Sequence, residues 1–293
     1  MTEYDFERFH EEAKKLRVLG VKITQHGKVL DEAYWDDNCR RNVYSASKSF
    51  TSAAVGIAVR EGLLRLDEKL TEAFPDELPD EVPENLARAE VRDLLTMCLG
   101  QASGNLMGAQ RPLIPEENWV RLSLSLPFAY KPGTHFVYNN VGPYLAGILV
   151  QRRAGCDLVS YLMPRLFEPL GIRRPIWEED PMRNTFGAGG LFLSLSELDR
   201  LGLLYLQNGN WNGRQLIPEE WVRESLSVQA ENGRYGYGYL FWAGPHGSFR
   251  ADGKYSQLSI IMRDKDAVVT TMAECRDAAA LEKLIFDEIW TQL

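Results

Sequence analysis

Cysteine and histidine are scarce, with four of each in 293 residues. Cys39, Cys98, Cys156 and Cys275 lie far apart and form no Cys-x-x-Cys pair. That excludes a disulfide framework, and reduced structural thiols are expected. None of His10, His26, His135 and His246 stands four residues from another, so neither a helical histidine pair for a metal nor any cofactor is expected. No apolar run approaches the ~20 residues that span a bilayer, which excludes a membrane-embedded chain. No dense Lys/Arg run occurs, and the charge sum is 33 − 41 = −8. Nucleic acid and anionic membrane surfaces are therefore excluded as partners. The opening MTEYDFERFHEEAKKL has neither a basic nor an apolar segment of a secretory leader, so a cytoplasmic location is expected. No Gly-x-Ser-x-Gly elbow is present. Gly187-Ala188-Gly189-Gly190 lacks the Lys-Ser/Thr of a phosphate loop.

What remains is ordinary globular composition, 45% apolar and 25% charged. A chain of this length buries about three quarters of its unfolded surface and needs no staple. Residues 3–16 have the apolar spacing of an amphipathic helix. Two strands follow around His26-Gly27. A helix is expected from Ser45 to Glu61, an exposed loop over the acidic, proline-rich 75–90, and a helix over 91–99. Asn139 or Asn140 is a candidate cap for a helix ending at Arg153. Asp157 is a candidate cap for the next, and Ser196 opens a capping-box spacing. The last third reads as strands from RYGYGYLFWAG to AVVTTMAE, then a helix over 278–292. Strands at both ends and helices between predict an α+β fold: an antiparallel sheet built from both chain ends, with a mainly helical insertion. The expected division is a sheet unit of 1–44 and 185–293 and a helical unit of 45–184, with the site in the cleft between them.

Ser45-Ala46-Ser47-Lys48 lies where the expected helix starts. Ser45 and Lys48 are nearly one turn apart and share a face. A serine hydroxyl needs a base, and a buried lysine with lowered pKa supplies one. About ninety residues on, Tyr138-Asn139-Asn140 offers a phenol to relay a proton and an amide to hold the lysine or the substrate.

Together these segments resemble the class C β-lactamase-like serine hydrolases, a family that includes carboxylesterases, D-peptidases and nylon-oligomer hydrolases. The resemblance runs over roughly 18–275. YSASKSFTSAAVGIAVREGLLRLDEKL, VRDLLTMCLG, PGTHFVYNNVGPYLAG, LFEPLGI and GAGGLFLSLSELDRLGLLYLQNGNWNG follow the family's block order. It implies that Ser45 is the acylated nucleophile and Lys48 its base. Tyr138 would relay the proton, and Asn140 would orient Lys48 and substrate. The family's third motif is a Lys-Thr-Gly or His-x-Gly, and Ala251-Asp252-Gly253 fits it best, with His246-Gly247 as a rival. Gly253 would admit the acyl chain, and the Lys254 and Ser45 amides would form the oxyanion hole.

Two departures stand out. Ala251 occupies the cationic position, and MCLG at 97–100 replaces a Thr-Ser-Gly ending. Without that cation, neutral esters are expected to exceed β-lactams and D-alanyl peptides as substrates. The expected function is a serine hydrolase acting through an acyl-enzyme on a carboxylic ester or small amide. A β-lactamase or D-alanyl carboxypeptidase is the alternative within enzymes, and a catalytically silent binding relative the alternative outside them. The sequence leaves oligomeric state open.

Overall fold

The computed structural model describes residues 4–293; Glu3, the expected start of the first helix, lies outside them. Six strands form one antiparallel sheet: β1 Val18–Gln25, β2 Lys28–Tyr34, β3 Trp242–Ala243, β4 Phe249–Gly253, β5 Gln257–Met262 and β6 Ala267–Ala273. Their spatial order is β2-β1-β6-β5-β4-β3. β1 pairs antiparallel with β6, Val21 opposite Thr271 and Ile23 opposite Val269, so the two ends of the chain close the sheet.

Side-chain alternation sorts the sheet into two faces. Val21, Ile23, Leu258, Ile260, Val269 and Ala273 pack beneath α1 (Glu7–Lys15) and a later helix at Ala278–Ile285. The opposite face, with Phe249, Ala251, Ile261 and Met272, joins the helical core. That core holds α2 (Ser47–Arg60), α3 (Val141–Ala154) and α4 (Leu195–Leu206). Each fully buried Val, Leu, Ile or Phe contributes about 1.5–3 kcal/mol. α2 is buried along nearly its whole length, which explains its weak apolar-polar contrast and its many small residues.

Several sequence expectations change in detail. The expected loop at 75–90 contains a helix, Glu84–Arg88. The capping box belongs to Ser194 with Glu197, not to Ser196. The expected long strand over 234–244 is mostly irregular, with only Trp242–Ala243 in the sheet. Asn139, not Asn140, accepts the Gly142 amide at the start of α3, 2.9 Å away. All four cysteines are free. Among the described residues no helix is long and apolar enough to cross a membrane.

Candidate active site

A cleft of about 1010 Å³ opens where the N-terminus of α2 meets the edge of β4. Ser45, Tyr138, Asn140 and Lys254 all line it. Ser45 sits in a single 3₁₀ turn, Tyr44–Ala46, just ahead of α2. Tyr44 holds φ +47, uncommon for a bulky residue, and its amide donates to Asn42 Oδ1 at 2.7 Å. Backbone strain is therefore stored immediately before Ser45.

Three serines cluster here, and their surroundings separate them. Ser47 accepts from the Leu191 amide at 3.1 Å and donates to the Tyr44 carbonyl. Ser49 donates to the Leu240 carbonyl at 2.9 Å. Both are buried, whereas Ser45 opens to the cleft.

Lys48 is 1% exposed. Its Nζ lies 2.9 Å from Ser45 Oγ, 2.7 Å from Asn140 Oδ1 and 2.7 Å from the Ala188 carbonyl. Burial holds the amine well below the ordinary lysine range, and the nearby Arg111 cation pushes it the same way against Asp252. A neutral amine has two N–H donors and one lone pair. Asn140 Oδ1 and the Ala188 carbonyl can only accept, so they take the two donors. The lone pair is left facing the Ser45 hydroxyl. The Asn140 amide is fixed in turn, since its Nδ2 donates to the Leu106 carbonyl at 2.9 Å.

Tyr138 stands over this pair, its ring centroid 5.0 Å from Lys48 Nζ. Burial pushes its phenol up, opposed by hydrogen bonding with Ser45 and Trp242. Its ring packs on Trp242 at 5.2 Å, and Phe136 lies 5.7 Å from the same indole. These rings, with Met107 and Ala109, give the cleft an apolar wall.

Gly253 explains how β4 reaches the Ser45 turn. A Cβ at this position would lie 2.1 Å from the Val43 carbonyl oxygen. Only glycine permits that approach, which sets Lys254 across the cleft from Ser45. Ala251 is placed differently from the sequence expectation. It is 1% exposed, buried in the core on the α2 side, and absent from the cleft wall. Alternation gives the wall to Arg250, Asp252 and Lys254 instead. Arg250 is occupied: its Nε donates to Asp252 at 2.8 Å, and Glu282 lies 3.4 Å from its Nη1. His246, in the rival motif, stacks on Trp290 at 3.7 Å and does not line the cleft.

Sequence reasoning missed Arg111, Glu178 and the role of the glycine segment. That segment, 187–190, passes beside α2 and presents the Ala188 carbonyl to Lys48. Its glycine density was the available signal, because it marks close backbone approach. At Gly190 (φ +79) a Cβ would lie 2.3 Å from Glu178 Cβ. Glu178 takes Arg111 through both carboxylate oxygens at 2.8 Å, and Arg111 lies 4.4 Å over the Phe186 ring. Trp177 is buried and donates to the Gly189 carbonyl, 3.0 Å away, which ties the same segment down.

The β-lactamase family profile matches residues 6–287. An uncharacterized protein of Alkalihalophilus pseudofirmus is 25% identical over 236 residues, 72% of this chain and 65% of its own length. A lovastatin esterase of Penicillium rubens is 32% identical over 162 residues, 46% of this chain. The chain spans only 40% of that esterase, so it covers less than two thirds of either curated relative. Among solved structures, EstCE1, a hydrolase with promiscuous acyltransferase activity, superposes with a TM-score of 0.78 at 14% identity, covering 96% of both chains. With the profile covering nearly all of its length, the chain belongs to the β-lactamase family.

Proposed function

We propose that the chain hydrolyses a carboxylic ester or small amide through an acyl-enzyme on Ser45, in the cleft between a sheet unit (1–44 and 185–293) and a helical unit (45–184). The observation that carries this reading is the set of three contacts at Lys48, which leaves a lone pair aimed at Ser45 Oγ. Lys48 takes the serine proton as Ser45 attacks the carbonyl. Tyr138 passes a proton to the leaving group and then activates water. Asn140 holds Lys48. The Ser45 and Lys254 amides receive the developing oxyanion, and such stabilisation commonly contributes more to acyl transfer than any other single effect.

The aromatic wall of Phe136, Tyr138 and Trp242 suits an apolar acyl group. The esterase activity in the name of the Penicillium relative supports an ester over a lactam. A β-lactamase or D-alanyl carboxypeptidase is the second reading, favoured by Arg234 and Lys254 on the cleft wall. It is weakened by Arg250, which two carboxylates already neutralise. A silent binding relative is disfavoured because Ser45, Lys48, Tyr138 and Asn140 meet in one cleft. A fluorophosphonate probe should add once, at Ser45, and nitrophenyl butyrate should be turned over faster than nitrocefin. Rapid Ser45-dependent nitrocefin turnover without esterase activity would promote the second reading.

A smaller effect is expected at Arg111. Its Nη1 lies 3.4 Å from the Leu106 carbonyl that also receives Asn140, and its charge opposes protonation of Lys48. Arg111→Met should lower kcat by about 10-fold, as expected for one misaligned hydrogen bond. Removing a neighbouring cation makes Lys48 easier to protonate, so the acidic limb of the pH profile should move to higher pH. Arg111→Lys should restore the limb but not all of kcat. An unshifted limb in Arg111→Met would remove the guanidinium from the account of Lys48.

A further inference from the structure

A second pocket, about 350 Å³, lies behind the nucleophile turn. Arg17, Arg41 and Arg276 line it together with Tyr44, Tyr255 and a single carboxylate, Glu274. Glu274 pairs with Arg17, and Arg41 reaches Asp36 at 2.6 Å. Arg276 has no carboxylate partner among the described residues. Counting Asp36 with Glu274, three guanidinium groups meet two carboxylates, so the pocket stays net positive in a chain whose net charge is −8. A guanidinium keeps five donors, so each paired arginine retains free N–H groups for an oxyanion.

The location adds a second observation. Asn42 and Tyr44 line both this pocket and the catalytic cleft, so the two are neighbours that share a wall. Tyr44 precedes Ser45 and Tyr255 follows Lys254, so the walls adjoin the two proposed oxyanion amides. The two rings meet edge-to-face at 5.6 Å, and both residues have positive φ, +47 and +65. The backbone is thus held in uncommon conformations in the wall of this pocket nearest the cleft.

We propose that this pocket is an anion site, with Arg17, Arg41 and Arg276 as donors to a carboxylate- or phosphate-type group, and that the group is carried by the substrate. The inference rests on the reading of Ser45 as the nucleophile. Adjacency to the cleft favours a substrate-borne anion over a free one, because a substrate reaching past Tyr44 would bring its far end to the pocket. The substrate class is then an ester or amide with a remote carboxylate or phosphate.

The test compares the mono-nitrophenyl ester of adipate with neutral nitrophenyl hexanoate. The adipate ester should be favoured in kcat/KM by about 10-fold, as expected for one charge-assisted hydrogen bond. The preference should shrink with added salt. Arg276→Ala should bring the ratio of the two substrates close to one. Because Arg276 is exposed and unpaired among the described residues, that change leaves no carboxylate orphaned, and Arg41→Gln provides an independent second variant. In parallel, inorganic phosphate is titrated against the wild type and Arg276→Ala by amide chemical shifts. Phosphate binding lost in Arg276→Ala, without any ester preference, upholds the site and overturns the substrate-borne source. Neither preference nor phosphate binding overturns the proposal. If neither ester is hydrolysed, the hydrolase reading fails instead, and the phosphate titration still decides the site.

Discussion

Ser45→Ala should lower kcat/KM by about 10⁴-fold or more, close to 5.5 kcal/mol of transition-state stabilisation. The size follows from the surroundings of the three serines. Ser47 and Ser49 are buried and committed to the Leu191 amide, the Tyr44 carbonyl and the Leu240 carbonyl, so neither can replace the lost nucleophile. The variant should remain folded, since the lost group is one hydroxyl facing the cleft. Its thermal midpoint should match the wild type within a few degrees, and the fluorophosphonate adduct should vanish. Residual labelling at Ser47 would move the nucleophile and with it the whole assignment.

Lys48→Met should be comparably severe, because it removes the only amine in contact with Ser45 Oγ among the described residues. Tyr138→Phe should slow turnover while leaving Ser45 and Lys48 in place. Combining the two should cost little more than Lys48→Met alone, as for groups that act as a unit; additive losses would show that they work independently. Lys48→Met also carries a stability signature with a definite sign. Burial holds Lys48 below its unfolded value. Between the two pKa values the unfolded chain binds more protons, so this group makes stability rise with pH until about 10.4. The difference in unfolding free energy, wild type minus variant, should therefore climb from neutral to alkaline pH. Urea unfolding at several pH values measures it, and a flat difference would mean that Lys48 is not held neutral in the folded protein.

The longer helices, the terminal hairpin and the sheet drawn from both chain ends were legible because each has a local signal: apolar spacing at 7–15, the His26-Gly27 turn between β1 and β2, and strand runs at 249–273, whereas short helices such as Glu84–Arg88 were not. Ser45, Lys48, Tyr138 and Asn140 were legible as motif residues, and the fold brings them together in one cleft. The orientation of β4 was not. Alternation fixes that Arg250 and Asp252 oppose Ala251, but not which parity meets the cleft; packing of Ala251 against the α2 side decides it. Arg111 and Glu178 lie 67 residues apart, and no local signal joins them. The aromatic segment 234–244 misled because its alternating tyrosines and glycines imitate a strand, whereas the rings build the cleft wall and neighbouring core.

The pairing of β1 with β6 also sets the order in which the molecule can be completed. During synthesis β1 and β2 emerge before β6 and can form a hairpin, yet the far edge of β1 stays unpaired until residues 267–273 emerge. Until then that edge is a row of open donors and acceptors flanked by Val21 and Ile23, a template for another nascent chain. The central helices can gather meanwhile, but β4 arrives shortly before the closing strand. The part of the wall built by β4 is thus made well after Ser45, and stalled chains ending before about residue 250 should be catalytically mute and dependent on chaperones.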